Sequence, residues 1–149
     1  MKKNILWVGS LLLLWHPLIA QEKIVMQEYP LTAVQKQNRN VVAMASESLN
    51  KSLPQKIDEY TTLTKIEGKE ETLFYTFEID TGTKSDEAIR KEDRERMKKA
   101  VTKGVCRSSK RFLKADIHIA YRYLSAQSRK ELFRFDIQKS DCDYFRGNL

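Results

Sequence analysis

The chain has 149 residues, 41% of them hydrophobic and 32% charged, with a formal net charge of +7. Those values suit one domain with a single modest core. His118 is the only histidine beyond residue 20, and one imidazole with scattered acids falls short of the usual zinc ligand sets, while the glycines stand singly, which excludes a glycine-rich phosphate cradle.

Residues 1–20 read as an export signal. Lys2 and Lys3 form a cationic start, residues 5–14 are almost unbroken apolar sequence, and Pro17 precedes the small residue Ala20. His16 and Pro17 interrupt the run before the roughly 20 apolar residues that a spanning helix needs. Cleavage after Ala20 removes two lysines and no acid, so the net charge falls from +7 to +5. Retention of the segment as a membrane anchor is the alternative; no cysteine lies at the junction to carry a lipid. Residues 21–30 then form an extended lead, and residues 31–149 a single domain.

Pro30 and Thr32 announce the first helix, with Thr32 and Gln35 at capping-box spacing. Val34, Val41, Val42, Ala45, Leu49 and Leu53 recur at helical steps and predict its buried stripe. Pro54 ends it. Residues 60–66 and the stretch "TLFYTFEI" predict a hairpin turning at Gly68 and Lys69, which sets Tyr60 opposite Phe77 and Leu63 opposite Phe74. The returning strand is apolar on both faces and belongs inside the sheet.

A second helix follows. Ser85 is its predicted N-cap, Asp86 and Glu87 suit the positive end of its dipole, and Lys98, Lys99 and Lys103 suit the negative end. Gly104 is its predicted left-handed C-terminal residue. Its apolar stripe (Ala88, Ile89, Met97, Ala100, Val101) is thinner than that of the first helix, so it is expected to be the more exposed. "SSKRFLKA" gives one short helical turn with Phe112 and Leu113 inward. "DIHIAYRYL" and "KELFRFDI" then alternate cleanly, with Ile117, Ile119, Tyr121 and Tyr123 on one face and Phe133, Phe135 and Ile137 matching them. A turn at residues 126–128 sets Tyr121 opposite Phe133, Ile119 opposite Phe135 and His118 opposite Asp136. The order α-β-β-α-β-β predicts an α+β fold: a four-stranded antiparallel sheet from two hairpins, with two main helices packed on one face. Cys106 and Cys142, an even pair in an exported chain, point to one disulfide. A metal pair or a catalytic thiol needs partner residues that the sequence lacks.

The stretches "LNKSLPQKIDEYTTL", "YTF", "GVC", "YRY" and "SDC" together resemble a group of small exported or membrane-anchored bacterial proteins with no assigned activity. The resemblance covers residues 49–142 and implies that the two cysteines clip the second helix to the end of the sheet. The tail "DYFRGNL" departs from that pattern. There Tyr144 and Phe145 are candidate docking residues, or else cover the edge of the core.

Little in the sequence is catalytic. As a general base His118 would need a nucleophile and an orienting carboxylate; Asp136 supplies only the second, and the pair reads as an exposed cross-strand contact. The adjacent acids Asp58 and Glu59, Glu70 and Glu71, Asp86 and Glu87, and Glu92 and Asp93 read as solvated surface, since neighbours on a helix do not face one another. "DCD" at residues 141–143 lacks the spaced ligands of a calcium loop. No catalytic residue, metal or cofactor is assigned. Residues 98–114 carry Lys98, Lys99, Lys103, Arg107, Lys110, Arg111 and Lys114 and no carboxylate. They form a candidate surface for another envelope protein or an anionic envelope component rather than nucleic acid. The sequence therefore predicts a periplasmic or secreted, non-enzymatic, protein-binding accessory, inhibitor or immunity-type module. A small hydrolase of an envelope polymer, using two acids held across a cleft, is the alternative.

Overall fold

The computed structural model describes residues 30–148, with side chains as far as Asp143. The predicted signal, all of the lead before Pro30, and the side chains of Tyr144 and Phe145 lie outside the described residues. Leu31–Leu149 forms one compact unit. Its elements are α1 (Ala33–Asn50), β1 (Gln55–Lys56), β2 (Thr61–Lys69), β3 (Thr72–Ile79), α2 (Asp86–Ser108), α3 (Lys110–Lys114), β4 (His118–Ser125), β5 (Glu131–Ile137) and a closing 3-10 helix (Lys139–Asn148). No described helix is long and apolar enough to cross a membrane.

The fold is α+β, but the sheet has five strands in the order β1-β2-β3-β4-β5 and is mixed. The predicted four-stranded antiparallel sheet is corrected in two ways. Gln55 and Lys56 add a short edge strand against Leu63 and Thr62. At the centre β3 and β4 run parallel, Leu73 beside Ile119 through to Ile79 beside Ser125. A parallel pair needs a crossover of a dozen or more residues, and α2 with α3 provides it. Main-chain pairing cannot be read from side-chain alternation, because alternation is the same for either direction.

Both hairpin registers also differ from expectation. The β2–β3 turn is at Glu70 and Glu71, with Glu70 at φ 53°, and Leu63 pairs with Phe77. Gly68 is therefore not a turn residue. It lies under α1, where an added Cβ would sit 2.8 Å from both Cγ1 and the carbonyl oxygen of Val42 and 3.0 Å from Ser46 Oγ. In the β4–β5 hairpin Tyr121 pairs with Phe135, Tyr123 with Phe133 and Ile119 with Ile137. A longer loop, with Arg129 at φ 60° and hydrogen bonded from its N–H to the Ser125 carbonyl at 2.9 Å, shifts the register by two and preserves the faces.

The capping box of Thr32 and Gln35 forms, with bonds of 2.9 and 3.2 Å, and Ser85 caps α2 through the Ala88 N–H. Gly104 does not end α2; the helix continues to Ser108. The inward stripe of α1 is rotated from the predicted one. Asn38, Val42 and Ser46 are buried, whereas Val34 is 63% and Met44 71% exposed, and Val41 and Leu49 are also exposed. Polar anchors set this rotation. Asn38 Nδ2 donates to the Ala115 carbonyl at 2.7 Å, and Asn50 Oδ1 accepts from the Ile66 N–H at 3.0 Å while its Nδ2 donates to the Ile66 carbonyl. The Asn50 carboxamide thus serves the main chain of β2 where the two-residue β1 no longer covers it.

The core lies between the helices and one sheet face, around Leu73, Phe77, Ile119, Tyr123, Phe133, Phe135 and Ile137, with Val42, Val105 and Leu113 from the helices. Cys106 of α2 is bonded to Cys142 of the closing helix, with Cα atoms 5.5 Å apart. The opposite face is polar. Arg122 lies 3.7 Å from Glu67 and donates to Thr76 Oγ1 at 3.0 Å, and Arg134 covers the Phe74 ring and binds Asp136.

Two stability measurements check this account. Asn50→Ala strands both main-chain groups of Ile66, and urea unfolding should show a loss of about 1–3 kcal/mol; an unchanged midpoint would contradict the role. Replacing Cys106 and Cys142 together by alanine opens a 36-residue separation, and should cost about 3–4 kcal/mol on the chain-entropy account. Equal stability of the two forms would show that the bond constrains nothing.

Candidate functional site

The alternation of β3 and β4, combined with their parallel pairing, stacks Tyr75 beside Tyr121 and Phe77 beside Tyr123 on the helix-bearing face. Ring centroids are 5.1 Å apart for Tyr75 and Tyr121, 4.9 Å for Phe77 and Tyr121, and 4.8 Å for Phe77 and Tyr123. Phe133 and Phe135 extend the ladder into β5. The helices do not close over all of it. Where α2 crosses, it offers Met97 and the short side chains of Ala100 and Val101, which leave space above the rings. The result is a cleft of about 410 Å³, floored by Leu63, Tyr75, Phe77, Tyr121 and Tyr123, walled by α2, and rimmed by Ile57, Asp58 and Thr61.

The rim and the rings have distinct electrostatics. Asp58 Oδ1 accepts from the Tyr60 and Thr61 N–H groups at 2.9 and 2.8 Å, and the Tyr60 bond is the main reason its carboxyl titrates below the ordinary value. Burial raises the Tyr75 hydroxyl. It pushes Tyr121 up to about 12, with Tyr75 as a second cause, and raises Tyr123, with Tyr121 and Asp58 adding to the effect. The cleft is thus an apolar, aromatic floor with neutral hydroxyls and a single carboxylate at its edge. That arrangement suits contact with apolar surface. It carries no nucleophile beside a base.

The sequence-predicted residues fall elsewhere. His118 is exposed and pairs with Thr72 of β3, while Ala120, not His118, is opposite Asp136. His118, Arg134, Asp136 and Phe74 line a shallow hollow of about 270 Å³ on the polar face, and the Asp136 carboxylate is held by Arg134 at 2.9–3.2 Å. The adjacent acids are divided between separate partners. Glu71 pairs with Arg39, Glu92 with Lys84 and Asp93 with Arg96, and Asp86 accepts from Ser128 at 2.6 Å. Among the described residues no three His, Cys, Asp or Glu side chains group closely enough to hold a metal.

All seven basic residues between 98 and 114 are exposed, yet they do not form one patch. Lys98 turns toward β5, into a hollow with Arg94, Thr102, Arg134, Asp136 and Asp141. Lys99, Lys103, Arg107, Lys110, Arg111 and Lys114 stay on the solvent face of α2 and α3. The cleft itself was not foreseen. "YTF" and "YRY" announced aromatic strands, but only the parallel register joins them into an open floor; α2 is not the more exposed helix that its thin stripe predicted, since the exposed large apolar side chains of the two main helices, Val34, Val41, Met44 and Leu49, all belong to α1.

Alkaline titration tests the floor. A phenol whose folded pKa exceeds its unfolded value favours the neutral ring in the folded state. Its stabilisation is complete below pH 10 and is lost as pH rises toward about 12. Stability should therefore fall steeply across that window, and Tyr121→Phe should flatten the fall. An equally steep loss in the variant would contradict the burial of this hydroxyl.

Three solved structures share the fold. A presumed secreted protein from Pseudomonas aeruginosa matches with TM-score 0.67 and 10% identity, over 76% of this chain and 99% of its own. A type 2 secretion system pilotin from Vibrio vulnificus matches with TM-score 0.61 and 10% identity, over 73% and 94%. A type II secretion system pilotin from Vibrio cholerae matches with TM-score 0.55 and 10% identity, over 73% and 95%. At that identity the likeness is one of fold. No curated protein matches the chain. A family model described as a domain of unknown function, DUF8479, matches residues 36–133, more than half of the sequence, and the chain belongs to that family.

Proposed function

We propose that this chain is an exported, non-enzymatic accessory protein of the cell envelope that holds an apolar segment of a secretion-apparatus protein in the aromatic cleft. The observation that carries the reading is the open floor of Tyr75, Phe77, Tyr121 and Tyr123 beside Met97, Ala100 and Val101 of α2. Aromatic rings left uncovered in a concave site offer large contact area at low entropic cost. On the rim Ile57 is 51% exposed, so apolar surface reaches outward from the cleft and offers a place for a partner. An amphipathic partner segment would lay its apolar side chains on the rings and keep its polar side in water. The fold shared with two pilotins of type II secretion systems supports the choice of partner class. Export rests on the predicted signal and on the disulfide, a bond that persists in oxidising compartments.

Photo-crosslinking in the native envelope tests this. A crosslinking side chain at position 97, in the cleft wall, should yield one adduct that mass spectrometry identifies as a secretion-apparatus component. The same group at position 36, on exposed α1 surface, should not. Ala100→Trp, which fills the cleft from an exposed helix position, should remove the adduct. Identical adducts from both positions, or an adduct indifferent to Ala100→Trp, would overturn the reading.

A further inference from the structure

The two edges of the sheet are finished differently. At the β2 edge, beyond the two-residue β1, the Asn50 carboxamide takes both main-chain groups of Ile66, and α1 lies against Gly68. β5 forms the other edge. The direction of its main-chain groups follows from the hydrogen bonds at the ends of β4. The Arg129 N–H donates to the Ser125 carbonyl and the Ser125 N–H to the Lys130 carbonyl, both at 2.9 Å. The His118 and Ala126 N–H groups instead donate toward β3, to the carbonyls of Glu71 and Ile79, both at 2.8 Å. Odd-numbered residues of β4 therefore face β5. Tyr121 and Ile119 pair with Phe135 and Ile137, so these two turn their N–H and C=O groups inward. Alternation turns those of Arg134 and Asp136 out.

The outward row is closed at both ends. Arg90 donates to the Glu131 carbonyl at 3.2 Å, and the Gln138 N–H donates to Asp141 Oδ2 at 2.8 Å. Leu132 is an extra residue, since Tyr123 pairs with Phe133 and Leu124 with Glu131, and such a bulge ends regular pairing. Between these stops, no described residue bonds the N–H or C=O of Arg134 or Asp136. The closing helix packs on α2, where the Cys106–Cys142 bond holds it. A hollow of about 220 Å³ remains between the edge and Arg94, Lys98 and Thr102 of α2.

An open row of this kind pairs with another strand, and its own residues decide which one. We propose that β5 pairs antiparallel with β5 of a second copy of this chain, about a two-fold axis at Phe135. In that register Arg134 lies opposite the partner's Asp136 and Asp136 opposite the partner's Arg134, and each pair exchanges two main-chain hydrogen bonds. Both open residues are then satisfied in both copies. Opposite charges also face each other across the axis, an arrangement that stabilises a strand pair. A slip of two residues sets Arg134 against the partner's Arg134, or Asp136 against the partner's Asp136. A slip of one sets outward groups against inward ones. The row is thus complementary to itself in one register, a match that an unrelated strand has no reason to share. The cleft stays open in the pair, because its rim residues Ile57, Asp58 and Thr61 lie beside β1 and β2, at the far side of the sheet. The inference is independent of what the cleft holds.

Sedimentation equilibrium of the full chain tests it, with amide hydrogen exchange as the local readout. The apparent mass should rise with concentration toward twice the 17.5 kDa of one chain, and protection of the Arg134 and Asp136 amides should rise with it. Arg134→Asp should weaken association on the order of tenfold, because it sets like charges opposite each other on both sides of the axis. Combining it with Asp136→Arg restores opposite charges and should restore association. Asp136→Pro removes an outward N–H that an edge strand does not use within its own chain, so it should keep the fold and abolish the pair. Circular dichroism of each variant checks the fold. A monomer at every concentration would overturn the proposal. So would self-association indifferent to Arg134→Asp or to Asp136→Pro, or a double variant no better than the single one. Amides protected only after envelope extract is added would assign the edge to a foreign strand and overturn it too.

Discussion

The parallel pairing of β3 with β4 is the constraint on which the molecule depends. It demands the long crossover that α2 and α3 supply, and it places four aromatic rings side by side on the face those helices only partly cover. An antiparallel arrangement of the same strands would bury the same residues but stack different neighbours. Core composition would hardly change. The cleft would.

Around that centre the remaining interactions hold the cover in place without filling it. Gly68 lets α1 approach β2 closely, and Asn38 and Asn50 fix its rotation through main-chain bonds. The Cys106–Cys142 bond fixes the far end of α2 to the chain beyond β5. α1 is held by small and polar contacts on its inner side, and Val34, Val41 and Met44 remain exposed. A preformed frame of this kind would lower the entropic cost of the association proposed for the cleft.

Much of this was legible in the sequence. The element types, the Thr32 and Ser85 caps, the central position of β3 and the cysteine pair follow from periodicity, capping chemistry and count. What was not legible depends on the third dimension. Strand direction leaves no mark on alternation, so the parallel pair was missed. Gly68 looked like a turn residue because its close neighbour, Val42, is distant in sequence. Gly104 looked like a helix end because its permissive backbone is compatible with one, but the helix simply runs through it. The basic stretch read as one patch until helical geometry separated Lys98 from the other six.

The most direct measurement of the central claim is the backbone nuclear Overhauser pattern between β3 and β4 in the isotopically labelled protein. Parallel pairing predicts contacts between the main chains of Leu73 and Ile119 at one end and of Ile79 and Ser125 at the other. Contacts that instead join Leu73 to Ser125 and Ile79 to Ile119 would reverse the strand, dismantle the aromatic floor and contradict the account.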